Sequence, residues 1–377
     1  MSKIVVSLYK YKPTVASTIR VMAFIKEFLS QGNTVLMVTT CDERIDILSD
    51  RFSVVLYSEA KFKPTAFSKI INDYRLVRKT KSVYRRGDII YSYTVPLFGF
   101  LFKKHWNVFY EETEVPLYGD RTYIWNRLST KLRLNNISRS SGLIVISQAL
   151  KEYYIKEGIG SSMIMIANMT VDVSRFEGLE KQAVSKPYIA YCGGVSNRKD
   201  GVDVLIRAFA KVADYSENLQ LYIIGSFVSS EDEAYDKMLV ESLNIKSKVC
   251  FMERVSSDLI PQLLKNAQCL VLARPISRQA MYGFPTKLGE YLLTSNPVVV
   301  TKVGEIPLYL KHKKDAYLAQ PGDVDDLASC ILDAITSTDA NQIGVSGFNV
   351  ALENFNSKIE SKKLLEFFRH RSGDICE

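Results

Sequence analysis

The residues best suited to chemistry lie in Gly283-Phe284-Pro285-Thr286-Lys287-Leu288-Gly289-Glu290-Tyr291-Leu292-Leu293. Pro285 and Thr286 suit the first positions of a helix, where backbone N–H groups have no partner within the helix. Those groups and the positive end of the helix dipole favour a bound phosphate. Lys287 falls in the first turn, and Glu290 follows three residues later on the same face. Cations suit a diphosphate and a carboxylate suits a ribose diol, so the pattern fits a nucleoside diphosphate sugar. The plain alternative is an exposed helix salt bridge worth about 0.2–0.5 kcal/mol. The setting favours the ligand, because the helix follows Gly-Phe-Pro and the polar loop Arg274-Pro275-Ile276-Ser277-Arg278-Gln279. Such a loop at the carboxyl end of a strand is where open α/β sheets bind ligands.

A second stretch, Tyr188-Ile-Ala-Tyr-Cys192-Gly193-Gly194-Val-Ser-Asn-Arg198-Lys199-Asp200-Gly201, reads as a strand, a glycine pair and a loop with two cations. An amphipathic helix, Val202-Asp203-Val204-Leu205-Ile206, comes next. Glycines at a strand end let backbone approach an anion closely, and Lys199 could then reach a diphosphate. A turn with solvated cations is the alternative. No G-x-G-x-x-G follows a strand and no G-x-x-x-x-G-K is present, which argues against nicotinamide-dinucleotide and P-loop chemistry.

Those elements must be held by a framework, and the chain supplies one. Short β-rich apolar runs alternate with amphipathic stretches, the pattern of parallel sheets with crossover helices. Strands are expected at Ile4–Leu8, Thr34–Thr39, Ser53–Tyr57, Ile89–Tyr93, Val108–Tyr110 and Leu143–Ser147. Further strands are expected at Tyr188–Tyr191, Leu219–Ile224, Val249–Phe251, Cys269–Leu272 and Pro297–Thr301. Helices are expected at Thr18–Ser30, Val202–Asp214, Ser257–Asn266, Thr286–Thr294 and Asp323–Ser337. A last helix, Ser357–His370, follows an expected break at Ser346-Gly347. The polar stretch from Phe176 to Pro187 reads as a linker. The expectation is α/β: two Rossmann-like doubly wound parallel-sheet domains, 1–180 and 187–354, facing across a ligand cleft. The C-terminal helix, about 355–377, is expected to pack back on the first.

Composition narrows the class further. With 377 residues, 47% apolar and 24% charged, the chain resembles a soluble globular protein of two ordinary domains. No run of about 18 apolar residues predicts a spanning helix, and the N-terminus predicts no signal peptide. Six cysteines without a CxxC pair suit reduced thiols in a cytosolic protein. Three separated histidines predict no histidine metal site. The net charge of +8 is uneven: residues 1–180 hold 26 Lys/Arg against 17 Asp/Glu, and the remainder 23 against 24. Lys61 to Arg86 alone holds nine basic residues and one acid, Asp73. Aromatic-basic nucleic-acid motifs are missing, so an anionic membrane surface is the more fitting partner, with a solvated helix face as the alternative. Ile89–Phe102, flanked by Arg85-Arg86 and Lys103-Lys104, would suit a lipid-linked acceptor, though Ile89–Tyr93 also reads as a buried strand.

From Tyr188 to about Ala328 the chain resembles the donor domain of retaining, family-4-type glycosyltransferases of the GT-B fold. Gly193 to Gly201 resembles that family's glycine–lysine phosphate loop, with Asp200 as an extra residue. Leu221-Tyr-Ile-Ile-Gly225 is similar to its next strand and turn, and Gly283, Phe284 and Glu290 match part of its two-glutamate signature. The Phe-Pro-Thr-Lys-Leu-Gly-Glu-Tyr wording resembles a bacterial subgroup. Weaker echoes are Leu143–Leu150 and Ile166-Ala-Asn168-Met-Thr-Val-Asp172-Val-Ser-Arg-Phe176.

The resemblance implies sugar transfer from a nucleoside diphosphate to an acceptor hydroxyl with retention. It implies a glycan or lipid-linked acceptor of bacterial surface polysaccharide or glycolipid; no cofactor is expected, and with no metal constellation visible in the sequence, no metal. It implies that Glu290 holds the ribose hydroxyls and Lys199 neutralises the diphosphate. The backbone of Phe284, Pro285 and Thr286 would hold phosphate or sugar. Gly225 would approach the nucleotide, and Arg254 and Val255 would bond the base through their main chain. Lys287, with Arg198 or Arg274, would stabilise the leaving charge. Three positions depart from the pattern. Tyr282 replaces the first signature glutamate, Gly194 replaces an arginine, and Thr113 and Glu114 stand where a histidine is usual. Glu114 is the substitute candidate for the sugar or acceptor hydroxyl. Two rival readings follow: a binding protein that has lost catalysis, and a sugar-nucleotide epimerase of the same build.

Overall fold

In a computed structural model, which describes residues 3–13, 15–46, 49–62, 65–115, 123–215, 217–253 and 255–373, the chain divides into two compact units. Met1–Thr170 with Ser357–Glu377 forms the first, and Val171–Asn356 the second.

The first unit is built on a seven-stranded parallel sheet. Its strands are β1 (Lys3–Leu8), β2 (Thr34–Thr39), β3 (Phe52–Leu56), β4 (Ile89–Tyr93), β5 (Asn107–Glu112), β6 (Gly142–Val145) and β7 (Ile164–Ile166). They lie in the order β3-β2-β1-β4-β5-β6-β7. Runs such as Ile4-Val5-Val6 and Ile89-Ile90 are apolar at consecutive positions because both faces of a parallel sheet are covered. The core joins Ile4, Val6, Phe24, Phe28, Tyr91 and Phe109 to Leu364, Leu365 and Phe368 of the last helix, Ser357–Gly373. Gly142 is required there, since a Cβ would come within 2.7 Å of the Phe367 ring.

The second unit carries six parallel strands: β8 (Tyr188–Cys192), β9 (Gln220–Ile224), β10 (Val249–Met252), β11 (Cys269–Leu272), β12 (Val298–Thr301) and β13 (Tyr317–Ala319). Their order is β10-β9-β8-β11-β12-β13. The Val202–Val212 helix shows how pattern becomes packing. Val202, Leu205, Ile206, Phe209 and Val212 are buried, while Arg207 and Lys211 stay toward solvent. The stretch from Phe176 to Pro187 lies within this unit.

Each sheet reverses its winding beside its first strand, at β1/β4 and at β8/β11. In a doubly wound sheet the loops leaving the carboxyl ends at such a point frame the ligand crevice. Among the described residues, no helix is long and apolar enough to cross a membrane.

One local expectation fails. Ser346-Gly347 does not break the chain but lies inside the helix Ala340–Asn354. The glycines at 344 and 347 serve packing: a Cβ on Gly344 would sit 2.3 Å from the Ser295 carbonyl oxygen. One on Gly347 would sit 2.5 Å from that of Asp315. The strands β7 and β13, each three residues long, are too short for a periodic signal.

Candidate functional site

β8 and β11 flank the reversal of the second sheet, so the candidate residues leaving their ends are placed by topology. Cys192 ends β8 and Gly193 follows, its N–H donating to the Ile224 carbonyl at 2.8 Å. A Cβ on Gly193 would meet Cε of Lys287 at 2.1 Å, so a side chain there would displace the lysine from its seat. Gly225 is forced in turn, as its Cβ would lie 2.0 Å from the Gly193 carbonyl oxygen. Gly201, at φ +66°, closes the loop against β11, with the Ala273 carbonyl oxygen 2.2 Å from where a Cβ would be. Within the loop, Ser196 caps the short helix Asn197–Asp200 by accepting from the Lys199 N–H.

The helix Thr286–Leu293 delivers Lys287 and Glu290 to this corner. Pro285 is its N-cap residue, and Tyr291 pins it to β8. The Tyr291 hydroxyl accepts from the Cys192 N–H at 2.6 Å and donates to the Cys192 carbonyl at 3.1 Å. Lys287 Nζ lies 2.5 Å from Asp200 Oδ2, donates to the Tyr191 hydroxyl at 2.7 Å, and stands 4.7 Å over that ring. The Tyr191 hydroxyl is 2.7 Å from the Gly194 carbonyl and 3.0 Å from Asp200 Oδ2, either of which can take its one proton. Burial lowers the Lys287 pKa, Asp200 opposes the shift, and the nearby charges of Lys199 and Arg274 add to it. Glu290 accepts from Nη1 of Arg175, whose Nη2 reaches the Ser257 carbonyl at 3.0 Å. Burial raises the Glu290 pKa and Arg175 opposes the rise. Burial pushes the Cys192 thiol, beside them, up to about 12.

Gly193, Gly194, Lys199, Arg274, Lys287 and Glu290 thus gather around one strand end. Lys199 and Arg198 are exposed on the short helix, while Arg274 is buried just after β11 and its carbonyl accepts from the Thr301 hydroxyl at 2.7 Å. The Phe284 side chain belongs to the core, packed on Tyr309 and Phe355, so only its backbone can serve a ligand. Gly283 is extended, Thr286 opens the helix, and Tyr282 ends the short helix Arg278–Tyr282. Val255 is half-buried in the loop after β10, and Arg254 lies outside the described residues. Gly225 is glycine for the sake of Gly193. Glu114 lies exposed just past β5, in the first unit.

Three members of the cluster escape sequence reasoning: Tyr191, Asp200 and Arg175. Asp200 reads as an inserted residue, and only its place before a glycine that caps a helix marks it. Tyr191 looks like any aromatic in a buried strand. Arg175 stands next to Phe176 in a segment already notable for its resemblance, yet nothing local aims it at Glu290.

The arrangement presents fixed cations and a helix N-terminus on one side and a paired carboxylate on the other. Residues 186–337 match the family model described as glycosyl transferases group 1. A trehalose phosphorylase from Pleurotus pulmonarius is 33% identical over 141 residues, which are 35% of this chain and 18% of that protein. The chain therefore spans under a fifth of that relative's length. Sucrose-phosphate synthase from Thermosynechococcus elongatus superposes with a TM-score of 0.79 at 14% identity, covering 98% of this chain and 99% of that one. The Anabaena protein HepE, solved with UDP-glucose, gives 0.76 at 18% identity over 98% and 100%. The chain has the GT-B fold, and its second unit carries the match to group 1 glycosyl transferases.

Proposed function

We propose that this protein transfers a sugar from a nucleoside diphosphate sugar to an acceptor hydroxyl with retention of anomeric configuration. The observation that carries the reading is the seating of Lys287 against the bare backbone of Gly193, beside the N-terminus of its own helix. A diphosphate lying over Gly193 and Gly194 meets Lys287, Lys199 and the free N–H groups together. These donors stabilise the charge that develops on the leaving diphosphate as the sugar gains oxocarbenium character, without a metal ion. Glu290 takes the ribose diol on its free carboxylate face while Arg175 holds it in place. HepE, a neighbour by fold, binds UDP-glucose, which supports a nucleotide sugar as donor.

The acceptor we propose is a glycan or lipid-linked sugar of bacterial surface polysaccharide or glycolipid, met on the cytoplasmic face of the membrane. The basic balance of residues 1–180 supports that placement. The test is incubation of purified protein with UDP-, GDP- and ADP-sugars, followed by chromatography of the nucleotide and sugar products. Slow release of nucleoside diphosphate from one donor is expected. Binding without any release would identify a binding protein, and a new sugar nucleotide formed without acceptor would identify an epimerase.

A further inference from the structure

The helix Thr65–Val83 in the first unit buries Leu76 and Val77 in its second half, but its first half turns apolar side chains outward. Its inward positions in the first half are Ser68 and Asn72, both buried. Asn72 is tied to the Ala60 backbone, accepting at 2.7 Å and donating at 3.1 Å. Its outward positions there are Phe67, Ile70 and Tyr74, with Ile71 half-buried beside them, spaced by three, four and seven residues, so they form one stripe. Phe67 is 60% exposed, Ile70 40% and Tyr74 39%. The stripe continues onto the segment after β4: Tyr74 meets the Phe98 ring at 5.4 Å, and Phe98 meets Phe100, itself 42% exposed, at 5.9 Å. A soluble helix normally turns such residues inward, as Val202–Val212 does.

Charge follows the stripe. Lys69, Arg75 and Arg78 are exposed on the same helix, and Arg85 and Arg86 follow it. Its one acid, Asp73, is engaged by the Phe98 N–H at 3.1 Å. An apolar aromatic stripe beside a run of cations is complementary to an anionic bilayer, whose headgroups take the cations and whose acyl boundary takes the rings.

Topology orients the stripe. A crossover from β3 to β4 leaves the carboxyl end of one strand and returns to the amino end of the next, so Phe67 and Ile70 lie at the carboxyl edge of the sheet. The segment with Phe98 and Phe100 follows the carboxyl end of β4. That is the edge at which an open sheet meets its substrate.

We infer that the outer face of Thr65–Val83, with Phe98 and Phe100, docks on an anionic lipid bilayer and so presents the acceptor edge of the first sheet to it. This deepens the membrane placement proposed above and rests on it. The full chain is to be floated with phosphatidylglycerol–phosphatidylcholine vesicles at low salt, with phosphatidylcholine alone as control. The wild-type protein is expected to float with the anionic vesicles only. The variant Phe67→Ser/Ile70→Ser should lose roughly tenfold or more in partition. Lys69→Ser/Arg78→Ser should lose about fivefold for each charge removed. Both should keep the wild-type melting temperature and donor release in solution. The inference is overturned if the wild-type protein stays off the vesicles or if the apolar variant floats like wild type. It is also overturned if the stripe only joins two copies of the chain in sedimentation. Donor release is read separately, so its absence would count against sugar transfer and leave the vesicle result standing.

Discussion

Both sheets keep ion pairs near the loops at their winding reversal, one in the first unit and two in the second, and they differ in how far they are sealed. In the first unit, Arg20 and Glu111 are 3% and 0% exposed. Arg20 donates from Nε to Glu111 at 2.6 Å, from Nη1 to the Asn168 carbonyl at 2.6 Å and from Nη2 to the Ala167 carbonyl at 2.9 Å. The Tyr91 hydroxyl donates to the other Glu111 oxygen. Such a sealed pair spends its hydrogen bonds on the protein. In the second unit, Arg175 and Glu290 keep 21% and 25% of their side chains exposed, and Lys287 keeps 18% although its partner Asp200 keeps only 3%. A partly open pair retains capacity for a ligand, and a sealed one does not.

The largest expected effect is on the sealed pair. Arg20→Met leaves Glu111 buried without its cation and should cost about 3–5 kcal/mol, read as a drop in urea midpoint. Stability close to wild type would mean that the first pair is not sealed at all. At the open pair, Lys287→Ala should leave a folded protein that releases donor about 100- to 1000-fold more slowly. Normal turnover would remove Lys287 from the chemistry. Glu290→Ala should weaken nucleotide binding by roughly 10- to 100-fold, the worth of one charge-assisted contact to a diol, and calorimetry reads it directly. Equal affinity in the variant and the wild type would leave Glu290 with Arg175 as a purely structural pair.

The smallest effect concerns Asp236, which supports the glycine loop by accepting from Asn197 Nδ2 at 2.8 Å. It is fully buried, and burial raises its carboxyl to about 6. Between the unfolded value near 4 and the folded one, the native state binds a proton that the unfolded chain does not, so stability falls as pH rises through that window. Asp236→Asn should therefore stabilise the protein by about 1–3 kcal/mol at pH 7.5, and the gain should vanish near pH 4. A melting-temperature difference independent of pH would refute the titration.

Most of the framework was legible in the chain. The runs at Thr34–Thr39, Ile89–Tyr93 and Cys269–Leu272 coincide with strands, since β-branched residues on both faces can only be buried in a covered parallel sheet. Glycine misled at Ser346-Gly347, where close helix packing rather than a break requires it. Lys287 and Glu290 announced themselves by spacing on one helix, a local property. Their partners did not, because Asp200 and Arg175 lie far away along the sequence and touch them only once the strands are laid side by side.

Sequence alone therefore determined the alternation of strands and helices, the position of the anion-favouring helix start, and the basic cast of the first half. Each depends on neighbours within a turn or two of chain. Which charges are sealed, which stay open, and which aromatic stripe is left outside were decided by tertiary structure. Those properties depend on what the sheet order brings against each side chain, and burial is set by all of the surroundings at once.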